Sequence, residues 1–269
     1  MNPRVAWADL PAGLRGRLEE AAGTFVRAEQ VSAGHNCLIG MILHTTSGQW
    51  FLKGVLAGHP RAAWTHANEA AINPWVAPVT APLKFRVQDN SWDVLGFGYL
   101  AGHRHADLAP GSPDLPAIAA ALQALAAIPA PRTVQLRAIE DRWREYIGDR
   151  AALLAGPAIA HTDLHRHNIM IGPSAKLIDW AWPTLAAPWV DTACVGLQLI
   201  TAGHHPAAAE HWCQQLPAYH AARREAITAF ADAARAMWHE IAAHDPQPWK
   251  HDVAAAAGRW ARHRAAQPS

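Results

Sequence analysis

His161-Thr-Asp-Leu-His-Arg-His-Asn168, then Ile169-Met-Ile171 and Lys176-Leu-Ile-Asp-Trp180, is the densest chemical stretch of this 269-residue chain. Short apolar segments flank it, one around Ile159 and one at 175–178, and Ile169-Met-Ile171 predicts a strand that fixes the polar loop in place. Asp163 and Asn168 stand five residues apart, so a compact loop can aim both at one point. Asp179 follows eleven residues after Asn168, at the end of a short apolar run, and would reach that point from the neighbouring loop. An Asp–Asn–Asp set suits phosphoryl transfer, which needs few protein groups: a carboxylate to orient the attacking hydroxyl and oxygen ligands for Mg²⁺. Magnesium takes hard oxygen donors and keeps waters and phosphate oxygens in its shell. In this reading Asp163 is the base, and Asn168 and Asp179 are the metal ligands.

Outward from this stretch the chain changes character once. Segments 25–31, 37–45 and 50–56 are apolar and β-branched runs broken by turn residues, which predicts strands. Thr46-Ser-Gly-Gln49 reads as a hairpin turn, because Gly48 tolerates a positive φ. Segment 60–76 has helical spacing and ends near Pro74; 83–89 and 92–99 read as two further strands. Beyond Gly102 the pattern turns helical: 116–128, with Pro116 near its first turn, 133–154 as one long amphipathic helix, and Ala-rich helix after Asp191. The expectation is an α+β, two-lobed architecture. A small antiparallel sheet with one helix fills 1–100, and a larger, mainly helical lobe fills 101–269.

Composition supports this and narrows the function. Hydrophobic residues make up 51% of the chain, enough for a sizeable core. With 23 Lys and Arg against 22 Asp and Glu, no basic excess points to nucleic acid. No apolar run is long enough for a membrane span, and the first residues lack a signal-peptide core. Cys37, Cys194 and Cys213 are scattered, with no C-x-x-C, as expected of reduced thiols in a cytoplasmic protein.

The H-x-D-x-x-x-x-N loop followed by I-D-W resembles the signature of the aminoglycoside phosphotransferase and choline kinase-like family, which shares the protein-kinase fold. The resemblance implies a two-lobed protein-kinase-like fold, Asp163 as catalytic base, and Asn168 and Asp179 on Mg²⁺. Thr162 stands where these enzymes commonly have Gly. Trp50-Phe-Leu-Lys53-Gly-Val resembles the strand whose Lys holds the α and β phosphates of ATP or GTP. Glu69 resembles the helix Glu that pairs with that Lys. The segment 32–36 sits where the family has its phosphate-covering loop, so Ser32 or Asn36 would hydrogen-bond phosphate. Phe97-Gly-Tyr-Leu-Ala-Gly102 resembles the hinge, whose backbone at Tyr99 and Ala101 would meet the base. Pro188-Trp-Val-Asp191 resembles the following segment, in which an Asp stabilises the catalytic loop.

The function implied is transfer of a nucleotide γ-phosphate to a hydroxyl of a small molecule. Two other readings compete. A metal-dependent hydrolase would use Asp163, His165 and His167, with His103, His105, His204 and His205 as further ligands, but it leaves Lys53, Glu69 and the I-D-W segment unused. A nucleotide-binding module without turnover would typically have lost the base, the metal ligands or the Lys. His161 reads as a loop-shaping residue, and His165 and His167 read either as surface positions or as contacts to phosphate or substrate. Most Trp residues of the second half read as packing. Downstream of Asp191, acids and bases are balanced, so the acceptor is as readily a sugar or amino alcohol as a polycationic aminoglycoside.

Overall fold

The computed structural model describes residues 4–31 and 37–267. It divides into two compact units, Met1–His103 with Ile178–Trp182, and Arg104–Leu177 with Pro183–Ser269. The segment Ile178–Trp182, which carries Asp179, therefore groups with the N-terminal sheet.

The first unit is built on a five-stranded antiparallel sheet of order β1-β2-β3-β5-β4. Its strands are β1 (Phe25–Gln30), β2 (Ile39–Thr45), β3 (Gly48–Leu56), β4 (Leu83–Gln88) and β5 (Trp92–Gly98). Thr45 pairs with Gly48, so the β2–β3 connection is the two-residue turn Thr46-Ser47, and Gly48 takes a φ of 147°. Strand alternation sorts the sheet into two faces. Ile39, Met41, Leu43, Leu52 and Val94 meet α1 (Ala12–Ala22) through Leu14 and Leu18. Phe51, Leu95 and Phe97 on the other face gather Ala70 and Ile178. Ala70 belongs to α2 (Pro60–Ile72), whose Pro60 sits in the first turn, where a missing N–H costs nothing.

The sequence pattern predicts one helix in this unit; the structure adds α1. Gly13 and Gly16 weaken its helical signal, and packing against the sheet supplies what propensity does not. The helix expected over 60–76 ends at Ile72, and a short 3₁₀ turn follows at Ala77–Val79.

The second unit carries two small sheets and the remaining helices. β9 (Ile169–Ile171) lies between β6 (Arg104–His105) and β10 (Lys176–Leu177). β11 (Thr184–Ala186) lies between β7 (Arg137–Ala138) and β8 (Ala158–Ala160). The described helices are α3 (Leu115–Ala126), α4 (Ile139–Ile147), α5 (Val190–Thr201), α6 (Pro206–Gln214), α7 (Pro217–His220), α8 (Arg224–His244) and α9 (Pro248–Ala265). The single helix expected over 133–154 is instead β7, α4 and a 3₁₀ turn at Gly148–Leu154, because Gly148 adopts a φ of 58° and ends α4. Aromatic rings hold the helices together: Phe230 lies within 4.9 Å of Trp143, 5.7 Å of Trp260 and 5.9 Å of Trp189, centroid to centroid. Trp189 and Trp260 thus pack, whereas Trp249 is exposed.

Candidate active site

Lys53 is placed by strand alternation. It pairs with Gly40 on β2 and Leu95 on β5, which puts its side chain on the face that also carries Phe51, Leu95 and Phe97. There its Nζ donates to Glu69 Oε2 at 2.7 Å and to Asp179 Oδ1 at 2.5 Å. Glu69 comes from α2, and both Lys53 and Glu69 are buried. Burial opposes the Lys53 charge, but the two carboxylates outweigh it and hold the ammonium well above the ordinary lysine range. Burial pushes the Glu69 carboxyl up, against the pull of Lys53. Asp179 lies just past β10 with a φ of 67°, a left-handed conformation that Asp tolerates better than most residues.

The catalytic-loop candidates belong to the second unit. β8 leads into His161, and β9 receives the chain after Asn168. The buried Asp191, at the start of α5, accepts the backbone N–H of His161 at 2.7 Å and of Thr162 at 2.8 Å. Burial raises its pKa to about 6, although both N–H groups and Arg142 favour the charged form. His161 Nδ1 accepts the Asp163 N–H at 3.3 Å, a loop-shaping contact. Asn168 Nδ2 donates to the Asp163 carbonyl at 2.9 Å, which turns the amide so that Oδ1 is its remaining acceptor for a cation.

Thr162, immediately before Asp163, has a φ of 64°. For a β-branched residue that is an outlier costing about 1–3 kcal/mol. Its Oγ1 accepts from Arg142 Nη1 at 2.7 Å, and the same Nη1 donates to Thr184 Oγ1. Arg142 lies on α4 and Thr184 is fully buried in β11. Burial pulls Arg142 below the ordinary arginine range, while Asp163 and Asp191 act in the opposite direction. Nothing in the sequence singled out Arg142 or Thr184, since an Arg in a charged amphipathic helix reads as a surface residue.

Ser32 and Asn36 lie outside the described residues. In segment 97–102, the Tyr99 N–H donates to Gln49 O at 3.3 Å and the Ala101 N–H to Tyr99 O at 3.1 Å. His165 Nδ1 accepts the His167 N–H at 3.2 Å, and the two rings meet edge-on at 5.9 Å. Among the described residues no group of three or more His, Cys, Asp and Glu is arranged to hold a metal ion.

No protein-family model matches the chain, and neither does any curated protein. Solved structures do. The choline kinase LicA from Streptococcus pneumoniae aligns at a TM-score of 0.65 with 14% identity, over 93% of this chain and 97% of that one. The chain has the choline kinase and aminoglycoside phosphotransferase fold. LicA in complex with AMP aligns at 0.59 with 14% identity, over 89% and 92% of the two chains. An aminoglycoside phosphotransferase from Alicyclobacillus acidocaldarius aligns at 0.58 with 14% identity, over 96% and 93%. At this identity the likeness to choline kinase is one of fold, and its near-complete coverage extends past the motif-bearing part into the C-terminal helices.

Proposed function

We propose that this chain is a small-molecule kinase that moves the γ-phosphate of ATP or GTP onto a hydroxyl of a small acceptor. The observation that carries this reading is the Lys53 ammonium held by Glu69 and Asp179 together. An isolated strand Lys is usually a surface residue. A buried one with two carboxylates, on a kinase-like fold, is poised to exchange one of them for phosphate oxygens. The crystallisation of the neighbour LicA with AMP supports an adenine nucleotide as donor.

In this reading Lys53, braced by Glu69, binds the α and β phosphates. Backbone at Tyr99 and Ala101 meets the base, and Ser32 or Asn36 contacts phosphate. Mg²⁺ would be held by Asn168 and Asp179, whose hard oxygen donors suit it, and it would supply neutralisation of charge on the phosphate oxygens. The few ligands from the protein agree with a metal that keeps water and phosphate in its shell. Asp163 orients the acceptor hydroxyl and takes its proton. No covalent phosphoenzyme is needed.

The acceptor class is an uncharged or weakly cationic alcohol, such as a sugar or an amino alcohol, or an aminoglycoside. Among the described residues no helix is long and apolar enough to cross a membrane. A cytoplasmic location belongs to this reading on cysteine usage, since Cys37, Cys194 and Cys213 are scattered without C-x-x-C spacing.

The test is a titration of ATP and GTP with and without Mg²⁺, followed by the thermal midpoint, which rises when a ligand binds the native state. A Mg²⁺-dependent rise is expected, and Asp163→Ala should keep it while abolishing phosphate transfer to an acceptor found by screening. No rise at millimolar nucleotide with folded protein would sink the assignment.

A further inference from the structure

We propose that Arg142 is a positioning residue for Asp163, clamping the Thr162 side chain and so holding the backbone turn that presents the carboxylate. The role given to Asp163 rests on the kinase reading; the clamp itself does not.

The argument begins with strain. Thr162 precedes Asp163 directly, so its φ sets the direction in which the next side chain leaves the loop. A φ of 64° is natural for glycine and unfavourable for a β-branched residue, which would relax toward an extended conformation if nothing held it. Two contacts act as restraints on it. Asp191 Oδ1 accepts the Thr162 N–H at 2.8 Å, and this contact is available to any residue at the position. The second depends on the threonine: its Oγ1 accepts from Arg142 Nη1 at 2.7 Å. A glycine at 162 would need no such hold and would offer no atom for it.

Arg142 is itself well anchored. The same Nη1 donates to Thr184 Oγ1, and Thr184 pairs across the sheet with Ala160, the residue before His161. One guanidinium therefore ties α4 to β11, the strand paired with the one that feeds the loop, and to the turn within the loop. Its charge is felt at both Asp163 and Asp191. Thr162 and Arg142 thus form a pair in which the arginine compensates for the strain the threonine introduces.

A double-mutant cycle tests the pair, using wild type, Arg142→Ala, Thr162→Gly and the double variant, with Arg142→Gln in place of Arg142→Ala if the latter does not fold. The first readout is chemical unfolding, which needs no substrate. Arg142→Ala should cost clearly less stability in the Thr162→Gly background, where the turn needs no clamp; equal losses in both backgrounds would overturn the clamp. The second readout is phosphate release from MgATP with water as acceptor. Arg142→Ala should lower turnover at saturating MgATP by roughly ten- to a hundred-fold with the KM for ATP nearly unchanged, as expected when a catalytic group is misplaced. In the Thr162→Gly background the same substitution should cost less than about three-fold. Turnover lost equally in both backgrounds, or not lost at all, would refute the positioning role. If wild type neither binds nor hydrolyses MgATP, the kinase reading fails, and the unfolding cycle by itself decides whether Arg142 holds the turn.

Discussion

At the scale of single residues, the first unit concentrates its electrostatic stakes on one nitrogen. Lys53 Nζ satisfies Glu69 and Asp179 at once, and Glu69 has almost no access to water. Buried ion pairs contribute little net stability when intact but cost a great deal when one partner is removed, because the other charge stays buried and unpaired. Lys53→Met should therefore destabilise the fold by about 3–5 kcal/mol, besides removing nucleotide affinity. Glu69→Gln should cost less, since the ammonium keeps Asp179 and the amide still accepts a hydrogen bond. Urea unfolding of the two variants checks the order; equal and negligible losses would mean that the pair is solvated and the site more open than its burial indicates.

Elements turn these contacts into a fixed loop. β8 and β11 bracket the entry to the His161–Asn168 segment, and the chain closes tightly there: a Cβ on Gly156 would lie 2.4 Å from Ala187 Cα, next to the Ala187 N–H to Leu154 O bond of 2.8 Å. Backbone cannot move aside as a side-chain tip can. Gly156→Ala should thus cost about 1–3 kcal/mol, read by thermal unfolding, and should loosen the Thr184 anchor of Arg142. A variant as stable as wild type would show that this junction tolerates displacement. The strands were legible in the sequence because half-buried alternation is a direct imprint of a two-faced sheet. The pairing of Lys53 with Glu69 was foreshadowed only by the resemblance of their surroundings to a kinase strand and helix, and the structure joins the two at 2.7 Å. What stayed hidden depends on tertiary contact. Helix α1 is glycine-containing and stabilised by the sheet beneath it, α4 is cut short by the conformation of one glycine, and Arg142 becomes a buried clamp only when β11 supplies Thr184. Asp191 was readable as a loop brace, but its two backbone acceptor bonds were not.

Over the whole molecule, two buried groups make stability respond to pH in opposite senses. His66, on α2 one turn before Glu69, is 1% exposed, and neither ring nitrogen has a hydrogen-bond partner among the described residues. Burial and the nearby Lys53 and Arg86 depress its pKa to about 4 from an ordinary 6.5, against the pull of Asp93 and Asp179. Since the unfolded chain binds this proton more readily, the contribution of His66 is intact above pH 6.5 and is lost as the pH falls toward 4. Asp191 works the other way. Its folded pKa of about 6, against an ordinary 3.8, means that its ionisation costs stability as the pH rises through that window, and acidification returns some of it. From pH 7 to pH 5 the first effect amounts to about 2 kcal/mol lost and the second to about 1 kcal/mol regained. His66→Gln removes the stronger of these two responses. Measured by denaturant unfolding at both pH values, the stability difference between this variant and wild type should move by about 2 kcal/mol in the variant's favour on acidification. A difference that stays constant between pH 7 and pH 5 would mean that His66 takes up its proton in the folded state as easily as in the unfolded one, and that the α2 face of the sheet is open to water.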